Sequence, residues 1–210
     1  MHNYIVIEGN IGAGKTSLAE KLASELNARI VLEQFADNPF LPQFYKDRER
    51  YAFPLELFFV AERFQQLKDT LSKQDLFNPK TVADYIFIKS LLFARVNLSE
   101  EEFKLYQRLF HFINSTLPEP DVFVFLHCEV QRLQKNISKR GRDYEKNITD
   151  DYLMSIQNTY FEYFKTVNTF PVLILDVTNA DFVNDKNDYE KIKSIILSNH
   201  ENGIHHWTIR

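Results

Sequence analysis

The sequence predicts an α/β fold: a doubly wound, five-stranded parallel sheet with flanking helices and a phosphate-binding loop. Two observations carry this. Five short apolar runs rich in valine or isoleucine are separated by helical patterns, as strands buried on both faces of a parallel sheet are. Three of the chain's five glycines also fall in one stretch, Gly9-Asn10-Ile11-Gly12-Ala13-Gly14-Lys15-Thr16. That stretch lies between the first apolar run and an amphipathic helix pattern.

Each element has a local reason. Tyr4–Glu8 is the first strand, and Thr16 to Leu26 the helix that leaves the glycine loop. Arg29–Leu32 is the second strand. A long helix is expected from Pro54 to Lys73, with proline in its first turn. Thr81–Ala83 is the third strand. Ser99-Glu100-Glu101-Glu102 spells a capping box for a helix to about Thr116, which Pro118 and Pro120 stop. Val122–His127 is the fourth strand, and Val130–Arg140 and Thr149–Val167 are helices around a short charged segment. Val172–Asp176 is the fifth strand and Lys186–Asn199 the last helix. Residues 1–199 are expected to form one domain. Residues 200–210 read as a poorly structured tail, and the histidine pair in His205-His206-Trp207 as incidental rather than a metal site.

Composition narrows the function. A net charge of −4 with no basic stripe argues against a nucleic-acid partner. No apolar run is long enough to span a bilayer, and no secretory signal precedes the first strand. The single cysteine, Cys128, excludes a disulfide framework and points to a reduced, cytoplasmic setting. Nineteen phenylalanines, many in Phe53–Phe64 and Phe103–Phe112, favour a homodimer formed through aromatic-rich helices over a merely phenylalanine-rich core.

The glycine stretch has the spelling G-x-x-x-x-G-K-T. Its backbone N–H groups and the helix N-terminus converge on phosphate oxygens. Gly9, Asn10, Ile11, Gly12, Ala13, Gly14, Lys15 and Thr16 are therefore expected to bind ATP. Lys15 reaches the outer phosphates and the Thr16 hydroxyl ligates Mg2+. In such sheets ligands sit beyond the carboxyl ends of strands, so the residues just after each strand matter. Glu33 is either a general base for a hydroxyl acceptor or an exposed strand-end carboxylate. Asp84 is either in the Mg2+ shell or a helix cap. Lys139-Arg140-Gly141-Arg142-Asp143-Tyr144-Glu145-Lys146 is either a cationic lid over a transferred phosphoryl group or a solvated loop. Glu56 and Arg63 share one helix face about 10.5 Å apart along the axis. They either read the edge of a planar base or are satisfied by neighbouring helices. Asp176 to Phe182 is either an adenine-cradling loop or an ordinary turn.

Taken together, these residues resemble the deoxynucleoside kinase family, in order from Tyr4 to about Ile195. The resemblance implies transfer of the γ-phosphoryl of ATP, with Mg2+, to the 5′-hydroxyl of a deoxynucleoside. It implies Glu33 as general base and Lys15, Arg140 and Arg142 as catalytic cations. Tyr45 and Glu145 would meet the sugar 3′-hydroxyl, Glu56 and Arg63 the base, and Asp181 and Phe182 the adenine of ATP. Two departures stand out. Glu56 occupies a usual glutamine position, and an ionised glutamate only accepts hydrogen bonds. This favours amino-bearing bases, with deoxyadenosine first and other purine deoxynucleosides or deoxycytidine next. The family's acidic-Arg-Ser motif reads Asp84-Tyr85-Ile86 here, and Lys89, one turn on, is the candidate to supply the missing charge. The rival readings are a thymidylate-like nucleoside monophosphate kinase and a nucleotide-dependent switch or binding module without transferase activity. Against the first, Glu33-Gln34-Phe35-Ala36-Asp37 offers no arginine for a second phosphate. Against the second, a switch has no use for an arginine lid.

Overall fold

The structure is a computed structural model that describes residues 2–34, 38–71 and 80–209. Six parallel strands form one sheet in the order β2-β3-β1-β4-β5-β6. The strands are β1 (Tyr4–Gly9), β2 (Arg29–Val31), β3 (Thr81–Ala83), β4 (Val122–His127), β5 (Pro171–Asp176) and β6 (Gly203–Thr208). Helices α1 (Lys15–Leu26), α2 (Leu41–Phe44), α3 (Arg48–Leu71), α4 (Lys89–Asn97) and α5 (Glu100–Asn114) lie in the first part of the chain. Helices α6 (Val130–Arg140), α7 (Asp150–Phe164) and α8 (Lys186–Leu197) follow, with a 3-10 turn at Asp143–Glu145 between α6 and α7.

The central strands β1 and β4 are apolar along almost their whole length and fully covered, which is why they read as continuous runs rather than alternations. β1 pairs with β3 on one side and β4 on the other. The chain therefore reverses its winding at β1, and a crevice opens at its carboxyl end. Ser99 caps α5 through the expected reciprocal box with Glu102.

Two expectations change. The sheet has six strands, because the segment read as a frayed tail forms β6, parallel to β5 from Pro171↔Gly203 to Asp176↔Thr208. Its inward positions are His205 and Trp207, and Ile209 beyond it is fully buried. Histidines on a half-covered edge strand do not give the apolar run by which the inner strands were recognised. The long helix also starts earlier than Pro54. The Asp47 carboxylate accepts from the Arg50 amide, and the helix then runs through Pro54. Its expected end, Lys73, lies outside the described residues.

The phenylalanines are largely internal. Phe123, Phe125 and Phe164 form an edge-to-face cluster under the sheet, and Phe87 stacks on Phe110. Among the described residues Phe112 is the one phenylalanine mostly in solvent, at 84% exposure. It shares the outer face of α5 with the exposed Leu105 and Leu109.

Candidate active site

The glycine loop joins β1 to α1 as expected. Gly14 caps α1 in the left-handed region at φ 91°. A Cβ there would lie 2.8 Å from the Phe182 ring, so both backbone and packing require glycine. The Asn10 side chain fastens the loop. Its Oδ1 accepts from the Ile11 amide at 2.8 Å, and its Nδ2 donates to the Leu153 carbonyl of α7 at 2.7 Å. Asn136 on α6 donates to the Gly12 carbonyl at 2.8 Å. Lys15 Nζ donates to the carbonyls of Gly9 and Asn10 at 3.0 and 2.9 Å. Burial, and then the charge of Lys89, lower its pKa to about 8.

Thr16 and Asp84 meet where Mg2+ was expected. Thr16 Oγ1 donates to Asp84 Oδ2 at 2.6 Å, and Asp84 Oδ1 accepts from the Glu33 amide at 2.7 Å. One buried carboxylate thus ties the end of β3 to both the glycine loop and the segment after β2. A hydroxyl and a carboxylate form the all-oxygen donor set that Mg2+ prefers.

Glu33 is not a strand-end carboxylate in solvent. Its Oε1 accepts from Arg63 Nε at 2.9 Å and Nη2 at 2.6 Å, and its Oε2 from Lys89 Nζ at 2.7 Å. Burial alone would raise its pKa. The charges of Lys89 and then Arg63 outweigh burial and hold the carboxyl well below the usual carboxylate range. Burial likewise opposes the charge on Lys89, but Glu33 and Glu8 reverse it and the lysine pKa is raised. Tyr85, at the position where the resemblance expects arginine, points elsewhere: its hydroxyl donates to Gln66 Oε1 at 2.6 Å. Lys89, one turn on, brings its ammonium to Glu33 instead.

Arg63 is held by neighbouring side chains. Besides Glu33, it donates from Nη1 to Ser90 Oγ at 2.9 Å. Its guanidinium therefore holds the expected base catalyst, while Glu56 stands apart from it. Glu56 is 1% exposed, accepts from Asn97 Nδ2 at 2.7 Å through Oε1, and leaves Oε2 without a partner. Burial pushes its carboxyl up to about 7.

The lid arginines both face Glu145. Arg140 donates to Oε2 from Nε at 3.0 Å and from Nη2 at 2.5 Å, and Arg142 Nη1 donates to Oε1 at 3.2 Å. The adjoining Tyr144 ring stacks on Tyr45 with centroids 6.1 Å apart.

Two cavities open on these groups. The larger, about 680 Å3, runs from the glycine loop to Asp181 and Phe182 and is walled on α6 by Arg132, Asn136 and Lys139. The smaller, about 120 Å3, contains Tyr45, Glu56, Arg63 and Glu145 with Phe59, Phe93, Asn97 and Tyr152. Lys15, Thr16, Glu33, Asp84, Arg140 and Arg142 line both. Within the loop, Gly12, Ala13 and Gly14 line the larger cavity and Ile11 the smaller, while Gly9 and Asn10 line neither.

Sequence reasoning missed Glu8, Ser90, Asn97, Arg132, Asn136 and Tyr152. Glu8 is fully buried on β1, accepting from the Tyr160 hydroxyl at 3.1 Å with Lys89 Nζ 4.0 Å away. Arg132, Asn136 and Lys139 recur at helical spacing on α6, so their common face was available as a signal. Asn97 gave none, since a polar residue at a helix end reads as ordinary.

Comparison with known proteins gives one consistent answer. A profile of the deoxynucleoside kinase family matches residues 5–200. A deoxyguanosine kinase of Bacillus subtilis (strain 168) is 34% identical, the match covering 90% of this chain and 93% of that one. A deoxyadenosine/deoxycytidine kinase of the same organism is 31% identical, over 94% of this chain and 93% of its own. The structure of deoxyadenosine kinase from M. mycoides with bound dATP superposes with a TM-score of 0.80 at 25% identity, over 93% of this chain and 100% of that one.

Proposed function

The chain belongs to the deoxynucleoside kinase family and phosphorylates a deoxynucleoside with ATP, and from that premise we propose how its residues divide the work. ATP occupies the larger cavity, with its phosphates on the glycine loop and its adenine toward Asp181 and Phe182. The deoxynucleoside occupies the smaller, its 5′-hydroxyl toward Glu33. The observation that carries this is the shared boundary. Lys15, Thr16, Glu33, Asp84, Arg140 and Arg142 line both cavities, where a phosphoryl group would cross. The thymidylate-like and switch readings have no comparable support.

A carboxylate has about four lone-pair sites, and three donors occupy Glu33. One site remains for the acceptor hydroxyl. A carboxyl held so far below its usual range stays ionised, and it takes the hydroxyl proton only as the phosphoryl bond forms. Arg63 and Lys89 fix its orientation. Lys15, Arg140 and Arg142 stabilise the transferred phosphoryl. Mg2+, held by Thr16 and by Asp84 directly or through water, would neutralise charge on the ATP phosphates. Tyr45 and Glu145 meet the sugar 3′-hydroxyl.

Glu56 faces the base, and deoxyadenosine is the first acceptor in this proposal. Kinetic constants for the four deoxynucleosides with wild type and Glu56→Gln test it. Relaxed base preference is expected, and an unchanged selectivity profile would remove Glu56 as base reader. The proposal includes a homodimer through the exposed Leu105, Leu109 and Phe112 face of α5. It keeps a reduced, cytoplasmic setting, in which burial pushes the Cys128 thiol up to about 11 and leaves it unreactive.

A further inference from the structure

We propose that Asn97 is a positioning residue for base selection: it holds one carboxyl oxygen of Glu56, so that the acceptor base meets only the other, and the proton on that oxygen decides between adenine and guanine. The inference rests on the reading of Glu56 as base reader.

The geometry is specific. Asn97, at the end of α4, donates from Nδ2 to Glu56 Oε1 at 2.7 Å and lines the same cavity as Tyr152. An amide nitrogen donates only, so Oε1 is fixed as an acceptor. The opposite oxygen, Oε2, is buried and has no partner. Glu56 and Asn97 both line the acceptor cavity, so a ligand there is the available partner. Any proton that Glu56 carries must sit on Oε2, since Oε1 already receives an N–H. An ionised Oε2 accepts: it can meet an amino group on either purine, but it pairs with N1–H only in guanine and faces a bare lone pair at N1 of adenine. A protonated Oε2 donates and suits the bare ring nitrogen N1 of adenine. The two forms therefore prefer different purines.

Charged and titratable groups reach Glu56 from every side. Arg63 on its own helix and Lys89 on α4 favour the anion, whereas Glu33 after β2 opposes it. The Tyr106 hydroxyl of α5 donates to the Glu56 backbone carbonyl at 3.3 Å, and Tyr152 approaches from α7. Burial dominates them and brings the carboxyl to about 7, within the range where its proton can exchange under assay conditions. Asn97 lowers that value by bonding the carboxylate, so removing its donor moves the titration upward.

The test is the ratio of kcat/KM for deoxyguanosine to that for deoxyadenosine, measured from pH 6 to pH 8.5. Groups acting alike on both nucleosides, Lys15 included, cancel in it. In wild type the ratio should rise about tenfold with pH. In Asn97→Leu the midpoint should move up by about one pH unit. In Glu56→Gln the ratio should be flat. A flat wild-type ratio overturns the proposal without need of a variant. An unshifted midpoint in folded, ATP-binding Asn97→Leu overturns the role of Asn97. If Glu56→Gln reproduces the wild-type profile, the base-reading role of Glu56 itself fails, which is a separate result.

Discussion

Replacing Glu33 by glutamine tests the centre of the proposed mechanism, and the structure supplies the magnitudes. The carboxylate receives Arg63 from one side and Lys89 from the other. A glutamine has one accepting oxygen. If that oxygen faces Arg63, its NH2 meets the Lys89 ammonium, donor against donor, and the reverse orientation is no better. Breaking a buried ion pair by removing one partner costs about 3–5 kcal/mol. For a chain of this size each kcal/mol is about 2–4 °C in Tm, so Glu33→Gln should melt roughly 6–20 °C below wild type. Loss of the base should lower kcat by ~10²–10⁴, or ~2.7–5.4 kcal/mol of barrier. ATP affinity should change little. The sign with pH follows from the lowered carboxyl: its stabilisation is complete above the unfolded pKa of about 4.3 and is lost as pH falls toward the folded value. The stability gap between wild type and variant should therefore narrow in acid, by about 1.4 kcal/mol per pH unit below 4.3. Steady-state kinetics with saturating deoxyadenosine, beside thermal melts at pH 7 and pH 3.5, read both effects. Full kcat in a destabilised variant would refute Glu33 as base. A gap that widens in acid would refute the electrostatic account.

Lys15, with its pKa lowered to about 8, is roughly half neutral at that pH, and ATP phosphates favour its charged form. Titration calorimetry in buffers of different ionisation enthalpy should show proton uptake on ATP binding at pH 8.5, little at pH 6.5, and none in Lys15→Met. Equal uptake at both pH values would contradict the assignment. Lys89→Met should lower kcat by ~10²–10³ with little change in KM for ATP, whereas Lys89→Arg should retain most activity. Unchanged kcat in Lys89→Met would leave the missing motif arginine without a substitute. Phe112→Asp should yield a monomer by sedimentation at micromolar concentration, and a monomeric wild type would refute the proposed dimer.

The glycine loop, the inner strands and Glu33 were legible because each has a local signature. The loop needs glycine where α1 begins, β1 and β4 need unbroken apolar runs, and Glu33 stands directly after a strand. The edge strand β6 was not legible, since Gly203–Thr208 carries histidines on a half-covered surface. Nor were the partners of the site. Spacing put Glu56 and Arg63 on one helix face, which was correct, but could not say that Arg63 turns to Glu33 while Glu56 turns to Asn97. Those choices are made by α4, which reaches the site through Lys89, Ser90 and Asn97. The family resemblance singled out Lys89, but nothing marked Ser90 or Asn97, because long-range pairing of buried polar groups leaves no trace in periodicity.

One carboxylate, Glu145, is the counter-ion of both lid arginines, and it lies on the acceptor side of the site. A sugar hydroxyl that draws Glu145 away loosens two cations beside the donor's phosphates. Phosphates that draw the cations away leave Glu145 in want of a donor. In the proposed arrangement the two substrates draw on one ion cluster from opposite ends, and each relieves what the other must displace. Linkage then requires reciprocity: whatever factor the nucleoside gives to ATP affinity, ATP returns to the nucleoside.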